Sequence, residues 1–212
     1  MRILLILISV VLLMNGCSKE SQQADKKSTD LSRADEELLM AASGELIDRF
    51  GRQLKAELMA AMNEGGAKNA INVCQVKAPQ IAEANSNEFW SIRRISDRNR
   101  NPNNTANEHE LGILERFNDN TGMAPAFSYE WAPADEGRIY RYYKPIRVAP
   151  LCVKCHGSES DLDPEAAETL KEAYPEDRAI GYNPGDLRGM FVVQVRWPQG
   201  KAFADSLIAL AQ

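Results

Sequence analysis

The sequence predicts an α+β fold. Two observations carry that reading. Apolar residues recur at helical spacing through the first third of the chain, and from residue 89 onward short β-rich runs alternate with further helices. A third bounds the size: 212 residues, 44% of them apolar and 26% charged, suffice for one domain with its own core.

The first segment is not expected to belong to that domain. "MRILLILISVVLLMNGC" has one positive charge at Arg2, an apolar run from Ile3 to Met14, and Gly16 before Cys17. This is the pattern of a lipoprotein export signal, and the run is too short to span a bilayer comfortably. Residues 1–16 are therefore expected to be removed and Cys17 to carry diacylglycerol, although Met14 stands where leucine is commoner. Ser18 supplies no acidic inner-membrane retention signal, so the periplasmic side of the envelope is expected, with the outer membrane preferred. Residues 17–33, polar from Ser18 to about Asp30, read as a flexible tether, leaving 34–212 as the folded domain. The whole chain has net charge −5 and no basic stripe, which argues against nucleic acid as a partner.

Within the domain, Leu46, Phe50, Leu54, Leu58 and Met62 recur every four residues, preceded by Leu39 and Ala42. They predict a helix that packs on the core and ends at "NEGG", residues 63–66. "AKNAINVCQVKAPQIAEAN" predicts a second helix with Ile71, Cys74, Ala78 and Ile81 on one face, so Cys74 points inward, while Pro79 kinks or shortens it. "FWSIRRIS" reads as a strand and "DRNRNPNNTAN" as a loop. "EHELGILERFND" reads as a helix with Leu111, Leu114 and Phe117 facing in. "PAFSYEW" and "RIYRYYKPIRV" flank "APADEG" as a hairpin. After "CVKCHG" comes a short helix begun by Asp163 with Pro164 at its first position. A Gly-rich loop, the strand "MFVVQVRW" and a closing helix, "GKAFADSLIALAQ", complete the chain. No internal repeat is present.

The chemistry concentrates in "LCVKCHG". An exported chain lives in an oxidising compartment, where free cysteines usually pair or bind something. Of the four cysteines, Cys17 goes to lipid, leaving Cys74, Cys152 and Cys155, an odd number. Covalent haem c needs two thiols two residues apart for the vinyl groups and a histidine next to the second to ligate iron. Cys152, Cys155 and His156 supply all three. A structural zinc would want a fourth ligand, and a thioredoxin-like dithiol would open a helix in a βαβ unit. The spacing and the compartment select one covalent haem c. Its sixth iron ligand is open among Cys74, His109, Met123 and Met190; Cys74 reads equally as a small buried hydrophobe.

Seven stretches, "AINVCQVKAPQIA", "RISDRNRNPNN", "ELGILERF", "RYYKPI", "LCVKCHG", "YPEDRAIGY" and "GDLRG", together resemble the PAS-like c-type haem domain family. Its members occur as exported single-domain proteins and as sensor parts of membrane kinases and chemoreceptors. The resemblance implies a PAS-like antiparallel sheet with N-terminal helices. It also implies haem held by His156 and Cys74, with Cys152 and Cys155 as the thioether cysteines. The family pattern needs no histidine at His109, which reads as a helix-surface residue.

Arginine forks match haem propionates, and Arg100, Arg141 and Arg188 lie in the matching stretches. Tyr142, Tyr143 and Tyr182 suit either haem lining or core packing. The function expected is a redox or small-ligand sensing module acting through a redox or signalling protein partner, with membrane contact through the lipid. The alternative is a tethered electron carrier, which a methionine ligand would favour. An enzyme such as a peroxidase would need an acid–base residue at the open iron position, and the sequence offers little for it.

Overall fold

The computed structural model describes residues 31–119 and 122–211. The signal segment, Cys17 and the tether through residue 30 lie outside these residues. Residues up to Glu36 group apart from the rest, and within them the Ser32 hydroxyl accepts from the Asp35 amide at 3.1 Å to cap a helix start. From Glu37 the chain forms one compact unit. No described helix is long and apolar enough to cross a membrane.

Helix α1 runs Arg33–Asn72. The "NEGG" breaker acts inside it as a kink: Gly65 and Gly66 leave helical geometry, and helix resumes at once. Gly66 has φ 67°, which glycine adopts without a Cβ penalty. Beyond Asn72 the chain widens into a π-helical turn, Val73–Lys77, before helix α2, Ala78–Ala84. Proline has no N–H to bond back to Gln75, and the wide turn absorbs that mismatch just ahead of Pro79.

The remaining elements are β1 (Trp90–Ile95), α3 (Glu108–Phe117), β2 (Ser128–Pro133), β3 (Arg138–Arg147), α4 (Val153–His156), α5 (Pro164–Ala173), β4 (Leu187–Trp197) and α6 (Lys201–Leu210). The four strands form one antiparallel sheet in the order β1-β4-β3-β2. The sequence of helices first and strands later thus gives α+β, as expected. β4 begins three residues before the expected Met190, because Leu187 already pairs with Arg147.

The sheet has a helix on each face. Trp90, Ile92 and Arg94 pair across to Val195, Val193 and Phe191, so these six share one face. Helix α1 covers it: Phe50 meets Phe191 edge-on at 5.5 Å, and Lys144 bonds Asp48 at 2.9 Å. On the other face Ile95, Tyr143, Met190 and Val192 form a core cluster with Ile113, Leu114 and Phe117 of α3. Leu111, expected inside, is 39% exposed. The inward stripe is Glu110, Ile113, Leu114 and Phe117, at i, i+3, i+4 and i+7. Glu110 is drawn in by a capping box, accepting from the Asn107 amide at 3.0 Å and from Arg93.

Candidate haem-binding cleft

A cleft of about 440 Å³ opens at the end of the sheet, a size typical of small-molecule sites. One wall is the second half of the predicted core stripe: Leu54, Leu58 and Met62 line the cleft, while Leu39, Leu46 and Phe50 pack in the interior. The sequence reading placed the whole stripe in the core. Periodicity marks an apolar face, and it does not say whether protein or ligand covers it. The other walls come from the ends of β1, β3 and β4, the loop Asn99–Asn104, and Leu151–His156.

The Cys152–His156 segment is held firmly. A 3₁₀ turn, Pro150–Cys152, leads into the single helical turn α4. Gly157 ends it, its amide donating to Val153 O at 2.7 Å; a Cβ there would come within 2.7 Å of that oxygen. Asp163 caps α5 through the Glu165 and Ala166 amides at 3.0 and 3.2 Å, and its own amide bonds Lys154 O at 3.0 Å. Cys74, Cys152 and Cys155 are half-buried and free of disulfides. Burial pushes the Cys155 thiol up.

His156 lies on this turn and lines the cleft. Its Nδ1 lies 2.7 Å from Ala179 O, and since a carbonyl only accepts, Nδ1 must donate. That fixes the tautomer with a lone pair on Nε2, the arrangement a metal-ligating imidazole needs. Burial, aided by Arg100 and Arg188, holds the imidazole down at about 3, so it stays neutral. The carbonyl is itself positioned. The Ala179 amide donates to Asp177 Oδ1 at 2.8 Å, and Arg100 Nε donates to Asp177 Oδ2 at 2.9 Å.

The structure divides the three predicted propionate arginines. Arg100 lines the cleft, but its guanidinium is taken up by Asp177, Cys155 O and Ala179 O. Arg188 lines the cleft, bonds Ser96 Oγ and Arg98 O through Nη1 at 3.0 and 3.2 Å, and keeps a buried Nε with no partner among the described residues. Arg141 lies outside the cleft. It sits mid-strand on the α3 face, pairing with Gln194 and reaching Glu130 at 3.4 Å. Strand alternation, invisible in motif order, puts it there.

Tyr182 backs the histidine and does not line the cleft. Its ring stands edge-on to His156 at 6.4 Å, its amide bonds His156 O at 2.9 Å, and its hydroxyl is buried without a partner among the described residues. Tyr142 stacks on Phe127 and Tyr143 bonds Glu130 at 2.7 Å, both away from the cleft.

Of the four candidates for a sixth ligand, only Cys74 lines the cleft with His156. It lies on the π-helical turn Val73–Lys77. Met190 is buried in the cluster beneath α3, and Met123 is 80% exposed. His109 Nε2 sits 2.8 and 2.9 Å from the two Glu130 oxygens.

Several lining residues were missed from the sequence, Tyr174 and Arg94 among them. Tyr174 has its phenol pushed up by burial and by Cys74. Arg94, its guanidinium 5.5 Å above the Phe50 ring, has its charge disfavoured by burial and favoured by Cys74. A signal for Arg94 existed: period two in "FWSIRRI" aligns it with Trp90 and Ile92, a charge on a core face. Five basic residues line the cleft, namely Arg94, Arg100, Arg147, Lys154 and Arg188, and no acidic one among the described residues. In a chain of net charge −5 this is an electropositive island.

A comparison with curated proteins finds no match. Among solved structures, the crystal structure of the cyanobacterial heme-protein Tll0287 matches with a TM-score of 0.51 and 23% sequence identity, over 79% of this chain and 98% of that one. At that identity the likeness speaks for the fold. The Tll0287-like family model matches residues 19–196. That span is most of the chain and contains every cleft residue, so this protein belongs to the Tll0287-like family.

Proposed function

We propose that the chain is an exported, lipid-anchored protein that carries one covalent haem c, with His156 and Cys74 as axial ligands, and responds to redox state or a small ligand. The observation that carries this reading is the pairing across one cleft of a neutral, tautomer-fixed His156 with the free Cys74, within basic walls. The residues present fit the group. Cys152 and Cys155 are unpaired on one turn beside His156, and the orphaned Arg188 Nε awaits an acceptor such as a propionate. Arg100 is better suited to hold the histidine loop than a propionate. Leu54, Leu58 and Met62 supply an apolar wall that excludes water.

When bound, haem supplies a one-electron couple and an iron whose sixth position can exchange. Cys74 would hold the iron through an anionic thiolate and His156 through its neutral Nε2. A partner protein would read any change that release of Cys74 makes at the surface, and Cys17 would hold the module at the envelope on the periplasmic side. In the electron-carrier alternative a methionine ligand would have to come from Met59 or Met62, which line the cleft, because Met123 and Met190 lie off it. A peroxidase would need an acid–base group there, and the described lining offers no carboxylate and no histidine besides His156.

Low-temperature EPR of the ferric protein, produced with c-haem maturation machinery, tests this. A low-spin signal with the narrow g-spread of thiolate ligation is expected. A high-spin signal, or a wide g-spread, would sink the Cys74 assignment. Cys74→Ser should leave haem covalently attached while changing that spectrum.

A further inference from the structure

A second cavity of about 210 Å³ lies against the cleft, sharing Cys74, Arg94, Asn101 and Asn104 as walls. Phe50, Ala78, Pro79 and Ala82 give it an apolar side; Arg93 and Asn103 complete its polar side. No acidic residue lines it among the described residues. Arg93 is engaged by Glu110, but the Arg94 guanidinium has no hydrogen bond or ion pair among the described residues. The side-chain amide nitrogens of Asn101, Asn103 and Asn104 also lack partners there, since Asn101 uses only its oxygen, accepting from the Asn103 amide at 3.0 Å. A partly buried guanidinium beside amide donors that no protein group occupies among the described residues offers an anion one charge and several neutral hydrogen bonds on one wall.

The geometry points to this cavity as a carboxylate pocket, with Arg94 as its cation and Asn101, Asn103 and Asn104 as its neutral donors. At roughly 30 Å³ per water, the space of about 210 Å³ holds about seven waters, room for a small carboxylate such as acetate or a propionate arm. The carboxylate is either a free small acid or a propionate reaching in from the cleft; only the second source rests on the haem reading. Either way an anion paired with Arg94 occupies a cavity that Cys74 also lines, so occupancy lowers the positive field at Cys74.

The test starts with intact mass, which reports covalent haem separately. Haem-loaded wild type and Arg94→Met are then titrated with sodium acetate at constant ionic strength, following the reduction potential and the propionate bands in the resonance Raman spectrum. A saturable fall in potential with acetate, weakened about tenfold or more in Arg94→Met, establishes a free-acid site. No response to acetate, with propionate bands shifted in Arg94→Met, establishes the propionate as occupant. An acetate response unchanged in Arg94→Met overturns the proposal, and so does the absence of both effects. Asn104→Ala serves as the second variant if Arg94→Met does not fold. A chain found without covalent haem overturns the proposed function alone. The pocket is then read from acetate-induced shifts of the asparagine side-chain amides, wild type against Arg94→Met, and no Arg94-dependent shift overturns it.

Discussion

The two sides of the cleft are built differently. On the histidine side, every part of the turn is tied down. His156 bonds Ala179 O, Tyr182 N bonds His156 O, and Gly181 N bonds Gly157 O at 2.7 Å. Arg100 and Asp177, with side chains 7% and 11% exposed, lock the two segments together. On the cysteine side, Cys74 rides a π-helical turn with no side-chain cap and cavities on both flanks. The contrast teaches that the histidine proposed as one ligand is preorganised by hydrogen bonds, whereas the cysteine proposed as the other sits on a widened backbone turn. Such asymmetry suits a site whose chemistry depends on which ligand lets go.

The largest effect should come from the rigid side's covalent chemistry. Cys155→Ser is expected to abolish most of the haem-loaded yield by intact mass, and full covalent loading would refute the assignment. Next comes the lock itself. Arg100→Met leaves Asp177 buried without its partner and should cost about 3–5 kcal/mol in urea unfolding, whereas a loss under 1 kcal/mol would show that the loop does not depend on it.

A change on the cysteine side should act on the spectrum more than on stability. Pro79→Ala restores an N–H and lets the wide turn tighten into α-helix. A shift in the ferric EPR g-values is expected with stability altered by no more than about 1 kcal/mol. A spectrum identical to wild type would separate the π-helical turn from the ligand's placement.

The smallest effect lies away from both sides, at Glu130. Burial works to raise its carboxyl, but hydrogen bonds from Tyr143, His109 and Arg141 overcome that and hold it below the usual range. A depressed carboxylate adds stability above its unfolded value, and that stability is lost as the pH falls through the folded value. Glu130→Gln should therefore be slightly less stable than wild type at pH 7, with the gap closing from about pH 4.5 downward. A gap that persists at pH 3 would mean packing, not charge, is responsible.

The cleft was partly legible in the sequence. The Cys152, Cys155 and His156 spacing marked one side, and the inward face carrying Cys74 marked the other. The arginines were harder to place. Motif order brought Arg100, Arg141 and Arg188 forward together, yet Arg141 falls on the far face and Arg100 is occupied by Asp177. Arg94, which opens the same stretch as Arg100, went unnoticed.

Local patterns in the sequence determined the elements themselves: the α1 stripe, the Asp163–Pro164 helix start, the β2–β3 hairpin and the glycine break at residues 65–66. Their physical causes act over a few residues, through periodicity, capping and backbone freedom, so they can be read from the chain alone. Only the tertiary structure decided that half of the α1 stripe walls a cleft, that Ala179 orients His156 from 23 residues away, and that Arg94 lines the same cleft as Cys74 with no ion pair among the described residues. Those outcomes depend on which face of each element meets which neighbour. That choice is made by packing between segments distant in sequence, and no single segment contains it.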